Sequence, residues 1–428
     1  MTSQDLLTRR QSLLGNADQL SYQHPVHVVE AKGLELIDTE GNTLLDFFNN
    51  VPHVGHCHPR VVEAVCQQVR TLNTNTRYLY DNIVEYSERI TSLLPDGLDV
   101  CYFVSSGSEA NDLGWRIATA VTGNTGGLVA ERAYHGITDA TYALSPYAIE
   151  HEDQLASHVM TCKPCDDYRG KWKRDDEGRG HHYAQYIQHA IGELNTKGHR
   201  PAAFYMDNIL SSIGIHSPPP RYLQQAYKMV RDVGGLCIAD EVQSGFGRVG
   251  HHLWGFQVDD VVPDMVTFGK PIANGVPMGL VVTTREIADK FREHADFFST
   301  TGGNPVACAG AIAVLDVIEE QNLLDHCNDT GRYFASALTG LATRHELIGD
   351  VRGSGLFIGV ELVRDHESLE PATIETQAIV NQMRQKGILV GAEGPRKNVM
   401  KIRPPLVVER TQVDRFVETL DQVLRELA

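Results

Sequence analysis

From Val100 onward the chain repeats one pattern: a short apolar run, a polar turn, then apolar positions spaced three and four apart. The apolar runs predict strands at 100–104, 127–131, 157–161, 202–206, 236–239, 265–268 and 279–283. The periodic stretches between them predict helices at 108–121, 184–196 and 221–234. Strand and helix alternating in this way argue for a parallel sheet covered by helices on both faces. Upstream, residues 28–48 alternate apolar and polar around Glu40-Gly41-Asn42, which reads as strand, tight turn, strand. Residues 60–72 and 81–94 carry helical periodicity, joined by the polar link Asn73 to Arg77. After Pro305 come helices at 306–320 and 327–345, strands in VRGSGLFIGVEL and VMKIRPPL, and a last helix at 411–426. The expected architecture is α/β, with a large, mainly parallel sheet domain at 57–305. Residues 1–56 and 306–428 are expected to join as a smaller α+β domain, the N-terminal hairpin packing on the C-terminal part. Asp166 to His182 is dense in charge and reads as a solvated surface excursion, its His181-His182 pair incidental.

Composition narrows the class. With 428 residues the chain is long for one core, and 42% hydrophobic against 22% charged residues is ordinary globular usage. Apolar runs stop well short of the ~18 residues that a membrane helix needs. The opening MTSQDLLTRRQSLL interleaves acid and base, unlike a secretory leader, so a cytoplasmic protein is expected. Eight scattered cysteines include one CxxC, Cys162 and Cys165, with no second pair at zinc spacing; no metal site is expected. A net charge of -17 argues against nucleic acid or an anionic membrane as partner. It also means that an anionic substrate would need a local positive pocket.

The chemistry concentrates between Leu236 and Gly275. The predicted strand 236–239 runs into Asp240 and Glu241, and the strand 265–268 runs into Gly269-Lys270-Pro271. Ligands of open α/β sheets bind just beyond the carboxyl ends of strands, so Asp240 and Lys270 are aimed at one crevice. An acid that keeps a pyridine nitrogen protonated and a lysine that forms a Schiff base suit pyridoxal phosphate. A structural salt bridge is the plainer alternative. Gln243 would donate to the phenolic oxygen of such a cofactor, and Val242 would lie under its ring opposite Tyr134. Gly107 and Ser108, where a strand turns into a helix, offer backbone N–H groups to an anion; ordinary capping by Ser106 or Ser108 explains the same residues. Tyr134, before Gly136, is placed either to stack on a heterocycle or simply to pack. Gly245 to Gly250 matches GxGxxG but opens no predicted helix, which argues against a dinucleotide site.

Assembled, these residues resemble the class III pyridoxal-phosphate aminotransferases of fold type I. The resemblance runs through GHCHP (55–59), SSGSEAN (105–111), AYHG (133–136), ADEVQSGFGR (239–248), TFGKPIANGVPMG (267–279), STTGGNP (299–305) and KIRPPL (401–406). It implies that Gly107 and Ser108 hold the cofactor phosphate, Tyr134 stacks on the ring, Asp240 pairs with the ring nitrogen and Gln243 bonds the ring oxygen. Lys270 becomes the Schiff-base lysine. Thr300 would reach the cofactor phosphate of a neighbouring subunit, which implies a homodimer. FFNNVPHVGH (47–56), NTNTRYLYDN (73–82) and PCDDYRG (164–170) resemble the ethanolamine-phosphate phospho-lyases within this class. Where the family usually carries Glu-Pro, this chain has Met206-Asp207-Asn208, which puts ordinary amino-acid/keto-acid exchange in question.

The expected reaction is therefore elimination of phosphate from a small phosphorylated amine, phosphoethanolamine giving acetaldehyde, ammonia and phosphate. A class III aminotransferase acting on an amine or alanine with pyruvate or glyoxylate is the alternative. A dianionic leaving group calls for cations, because charge develops there in the transition state. Arg77 is the first candidate, its fork suiting phosphate, with a dimer-interface salt bridge as its other explanation. Arg403 is the second and fits a substrate carboxylate equally well; Asn50 would add a neutral hydrogen bond.

Overall fold

The computed structural model describes residues 2–15, 20–149 and 151–427. Its centre is a seven-stranded sheet in the order Leu98–Val104, Gly279–Thr284, Met265–Phe268, Leu236–Asp240, Pro201–Asp207, Gly126–Ala130 and Val159–Cys162. Five neighbouring strands are parallel, and Gly279–Thr284 runs antiparallel to both of its neighbours. The exception has a local cause. Only the short turn Lys270–Ala273 and a few loop residues separate it from Met265–Phe268, too little chain for the crossover that a parallel return needs.

Side chains alternate across this sheet and divide the core in two. Ile238, Met265 and Val281 point to the face covered by helices Gly107–Thr122, Arg179–Thr196, Tyr222–Asp232 and Arg285–His294. Ala239, Val266, Phe268, Leu280 and Val282 point the other way. There they share one continuous core with helices Pro59–Thr71, Asp81–Ser92 and Pro305–Glu320 and with the C-terminal strands. That core places a second, antiparallel sheet beside the first: Ile348–Ser354, Phe357–Leu362, Val399–Ile402 and Gly391–Glu393. A third sheet ties the chain ends together, with Thr43–Asp46 pairing in parallel with Ile388–Leu389. The expected N-terminal hairpin is three strands rather than two, because Gly33, at φ 59°, turns the chain between Val28–Lys32 and Glu35–Asp38. No helix among the described residues is long and apolar enough to cross a membrane.

The charged stretch after Cys165 is not the solvated excursion that its composition suggests. Arg174 clasps Asp350 with two hydrogen bonds of 2.7 Å, and Arg169 pairs with the buried Glu361 and donates to the Leu369 carbonyl at 2.6 Å. The segment is strapped to the second sheet. His181 and His182 lie in the first turn of helix Arg179–Thr196, where the His182 ring stacks on Trp172 at 5.2 Å. Cys162 and Cys165 are buried, and burial pushes both thiols up, away from the thiolate that a metal needs. Among the described residues no group of three His, Cys, Asp or Glu is placed to hold a metal. Gly245 to Gly250 runs in turns and opens no helix.

Candidate active site

Four of the parallel strands and the loops after them open onto one cavity. It is lined by Gly107, Ser108, Tyr134, Asp240, Val242, Gln243 and Lys270, which sequence reasoning brings together, by Asp207, which stands where the family usually carries Glu, and by Asn111 and His135, which sequence reasoning passed over. Asp240 closes strand Leu236–Asp240 and is 4% exposed. Its carboxylate accepts from Asn111 Nδ2 at 2.8 Å, His135 Nδ1 at 2.7 Å and the Val242 N–H at 3.1 Å. Asn111 is itself fixed, donating to the His135 carbonyl at 2.8 Å and accepting from Thr267 Oγ1 at 2.6 Å. Against a carboxylate acceptor, His135 carries its proton on Nδ1. Asp240 is thus a buried, immobile anion facing the cavity.

The opposite rim is a cradle of small groups. Helix Gly107–Thr122 is capped by Ser106, whose hydroxyl takes the Glu109 N–H at 3.1 Å. Capping is therefore Ser106's task, and the N–H groups of Gly107 and Ser108 have no acceptor among the described residues. Space is equally specific. A Cβ on Gly107 would meet both Val242 methyls at 3.0 Å, and one on Gly136 would meet the Ser108 hydroxyl at 2.9 Å. Tyr134 stands exposed at the mouth, its ring edge-on to Tyr147 at 5.8 Å. Unbonded N–H groups at one end, a fixed carboxylate at the other, apolar Val242 between them and a lysine beside them fit a phosphorylated pyridine aldehyde in donor set and in shape.

Lys270 follows strand Met265–Phe268 and holds a left-handed backbone, φ 35°, a conformation that costs about 1 kcal/mol or more outside glycine. No described residue hydrogen-bonds its amine. Burial lowers the amine below its ordinary value and Arg403 adds to this, while Asp240 and Asp207 oppose it. The free amine needed for nucleophilic and base chemistry is favoured accordingly.

Beyond Lys270 the cavity widens and meets the second sheet, where Gln243, Arg403, Lys401 and Glu393 form its wall. Arg403 donates to Gln243 Oε1 at 2.5 Å and to the Phe48 carbonyl at 2.7 Å, with its guanidinium 5.0 Å over the Phe48 ring. Asn50, 3% exposed, reaches the same Gln243 oxygen at 3.3 Å. Gln243 in turn donates to Ser211 at 2.6 Å, which leaves one N–H for a ligand. Asp207 accepts from the Ile209 and Ser211 N–H groups and shapes that turn.

Asn50, expected at the substrate, is buried against Gln243 and does not line the cavity, and two further expected residues stand elsewhere. Arg77 does not line the cavity of its own chain; its guanidinium lies 4.3 Å over the exposed Phe298 ring. Thr300 is exposed in the neighbouring turn. Around them lie Tyr78 at 68% exposure and Leu79 fully exposed, an apolar rim that one copy leaves uncovered. Of the residues passed over, Asn111 and His135 lie inside motifs already singled out, and Lys401 stands two residues before Arg403. On a strand that spacing puts both on one side.

The sequence model of class III aminotransferases matches residues 17–424. An alanine–glyoxylate aminotransferase 2-like protein of Drosophila melanogaster is 41% identical, over 100% of this chain and 89% of the relative. The ethanolamine-phosphate phospho-lyase homolog 1 of Caenorhabditis elegans is 38% identical, over 99% of this chain and 94% of its own. Among solved structures, a phospholyase from Arthrobacter in complex with phosphoethanolamine superposes with a TM-score of 0.94 at 39% identity, covering 99% of this chain and 100% of that one.

Proposed function

The chain belongs to the class III aminotransferase family, and we propose that within it the protein is a pyridoxal-phosphate-dependent phospho-lyase. Its substrate in this reading is a small phosphorylated amine, phosphoethanolamine first, cleaved with water to acetaldehyde, ammonia and phosphate. One observation carries the reading: the cavity that Lys270 faces ends at a wall holding two cations, Lys401 and Arg403, in a protein of net charge -17. The likeness to the Arthrobacter phospholyase supports it.

Bound there, the cofactor would supply an electron sink for the carbon that carries the substrate nitrogen. Gly107 and Ser108 would hold its phosphate, Val242 and Tyr134 its ring faces, Gln243 its ring oxygen, and Asp240 a proton on its ring nitrogen. Lys270, deprotonated more readily than an exposed lysine, removes the proton from the carbon beside the substrate nitrogen. The neighbouring C–O bond then breaks, and its electron pair leaves with the phosphate. Arg403 faces that leaving group and offsets its charge, with Asn50 and Gln243 holding Arg403's surroundings in place.

We propose a homodimer as the active unit, with the apolar rim around Leu79 as the contact and Arg77 and Thr300 serving the partner's cavity. Sedimentation velocity of the holoenzyme tests this, with Leu79→Glu expected to yield monomer. A second reading, transamination, is favoured by the 41% identity to the aminotransferase 2-like relative and by Arg403, whose Nη2 is unengaged and suits a carboxylate. The deciding experiment gives the cofactor-loaded protein phosphoethanolamine and no keto acid. Equal amounts of phosphate and acetaldehyde, both lost in Lys270→Ala, support elimination. Absence of phosphate, with amino groups passed instead to pyruvate or glyoxylate, overturns it.

A further inference from the structure

The turn that follows strand Pro201–Asp207 holds two bulky residues in left-handed backbone, Leu210 at φ 44° and Ile215 at φ 66°. For a β-branched residue such as Ile215 this conformation is an outlier, and it lasts only where the surroundings enforce it. Two sets of contacts do so here. Ile209 and Ile215 are buried with Val249 and Phe357 in a small core of their own. Arg352, in strand Ile348–Ser354 of the second sheet, supplies the other set. Its Nε donates to the Gly214 carbonyl at 2.9 Å and to the Ile215 carbonyl at 3.1 Å. Gly214 leaves room for this approach, since a Cβ there would meet Arg352 Nη2 at 3.0 Å.

Arg352 is itself fixed. Its side chain is 6% exposed, and Nη1 pairs with Asp350 at 2.9 Å and with Glu361 at 2.6 Å. Both acids also hold an arginine of the strapped segment, Arg174 and Arg169 respectively, so each stays paired without Arg352. The task left to this guanidinium lies at the two carbonyls. In the same turn Ser211 is 1% exposed, its N–H held by Asp207 at 2.8 Å and its hydroxyl accepting from Gln243 Nε2 at 2.6 Å. The Gln243 oxygen is already taken by Asn50 and Arg403. Ser211 therefore decides where the remaining Gln243 N–H points.

We infer that Arg352 is a positioning residue of the active site: it keeps the strained turn 209–216 folded through the Gly214 and Ile215 carbonyls, and the turn's Ser211 aims the Gln243 N–H at the ring oxygen of the bound cofactor. The last step rests on the pyridoxal-phosphate reading and not on the choice between elimination and transamination. A donor aimed at that oxygen favours its ionised form. A loosened turn therefore raises the pH at which the bound cofactor changes its absorbance.

Arg352→Lys separates the two tasks of the side chain, keeping a charge for Asp350 and Glu361 while removing the Nε donor. Two measurements on the cofactor-loaded protein read the consequence. Hydrogen exchange within 209–216 is expected to run about tenfold or more faster than in the parent; unchanged exchange in the central sheet shows that the variant folds. The pH midpoint of cofactor absorbance is expected to rise by about 0.5 unit or more, in Arg352→Lys and in Ser211→Ala alike. The double variant moves no further than Ser211→Ala alone, because both changes act through one contact. Arg174→Ala, which loosens Asp350 without touching the turn, leaves the midpoint in place. Exchange and midpoint both unchanged in Arg352→Lys overturn the inference, as does a midpoint that moves equally in Arg174→Ala. Faster exchange with an unmoved midpoint confines Arg352 to the turn and overturns its role at the site. A chain that takes up no pyridoxal phosphate removes the cofactor reading and the last step with it, while exchange in 209–216 still decides whether Arg352 holds the turn.

Discussion

At the Asp240 end of the cavity a short carboxylate accepts three hydrogen bonds, and its Asn111 partner is fixed from the far side by Thr267. At the Lys401 end two long cations reach in from another sheet, and Lys401 has one acceptor at 3.4 Å. The first arrangement suits a group that must not move between turnovers. The second leaves Lys401 only loosely held by the protein. One cavity thus joins a preorganised wall to an adjustable one, and the difference follows from side-chain length and from how many acceptors each group is given.

Removing the amine between the two walls gives the largest effect. Lys270→Ala is expected to lower phosphate release by about 10³-fold or more, since it deletes both nucleophile and base; stopped-time phosphate assays read this directly. Loosening the rigid wall comes next. Asn111→Ala orphans Thr267 and removes a donor from Asp240, and should cost about 2–3 kcal/mol in urea unfolding of the holoenzyme. A cost near zero would mean that the Asp240 end is less fixed than its geometry implies.

The adjustable wall should respond with the opposite sign. Lys401→Met is expected to raise stability by about 1–2 kcal/mol, because a poorly paired buried cation is replaced by an apolar chain of similar length. The pH dependence identifies the cause. In the folded protein Lys401 loses its proton near pH 7 rather than 10.5, so between these values the unfolded chain binds more protons. The gain from Lys401→Met is therefore greatest below about pH 7 and shrinks as pH rises toward 10.5. Thermal unfolding of both proteins across that range measures it, and a gain independent of pH would detach it from this lysine's charge. The smallest effect belongs to the strap. Arg174→Ala removes a half-exposed arginine and leaves the buried Asp350 still paired with Arg352 at 2.9 Å, for about 1 kcal/mol or less; faster proteolysis within 166–178 is its most sensitive readout.

Asp240 and Arg403 were legible in the sequence; Asn111 and His135, which fix the first, and Lys401 beside the second were not. Asp240 and Lys270 end two adjacent strands of one repeating pattern, so chain order alone brings them together. Lys401 stands inside a motif that was noticed, but its meaning depends on Glu393 across a strand pair and on a cavity formed with another sheet. The strap failed to show for a similar reason. Arg169 and Arg174 look solvated until Asp350 and Glu361, some 180 residues away, are folded against them. Arg77 stands at an exposed apolar rim outside the cavity of its own chain, with Thr300 exposed in the same region.

The parallel pairing of Thr43–Asp46 with Ile388–Leu389 sets a schedule for synthesis. A ribosome making roughly 5–20 residues per second delivers the second strand tens of seconds after the first, about 340 residues later. Throughout that interval the three N-terminal strands carry an open hydrogen-bonding edge, and Leu45 and Phe47 lack the part of their core that comes from the C-terminal segment. The nascent chain therefore has to be kept from pairing with its neighbours until roughly its last tenth emerges, and truncation anywhere before residue 388 leaves that edge open.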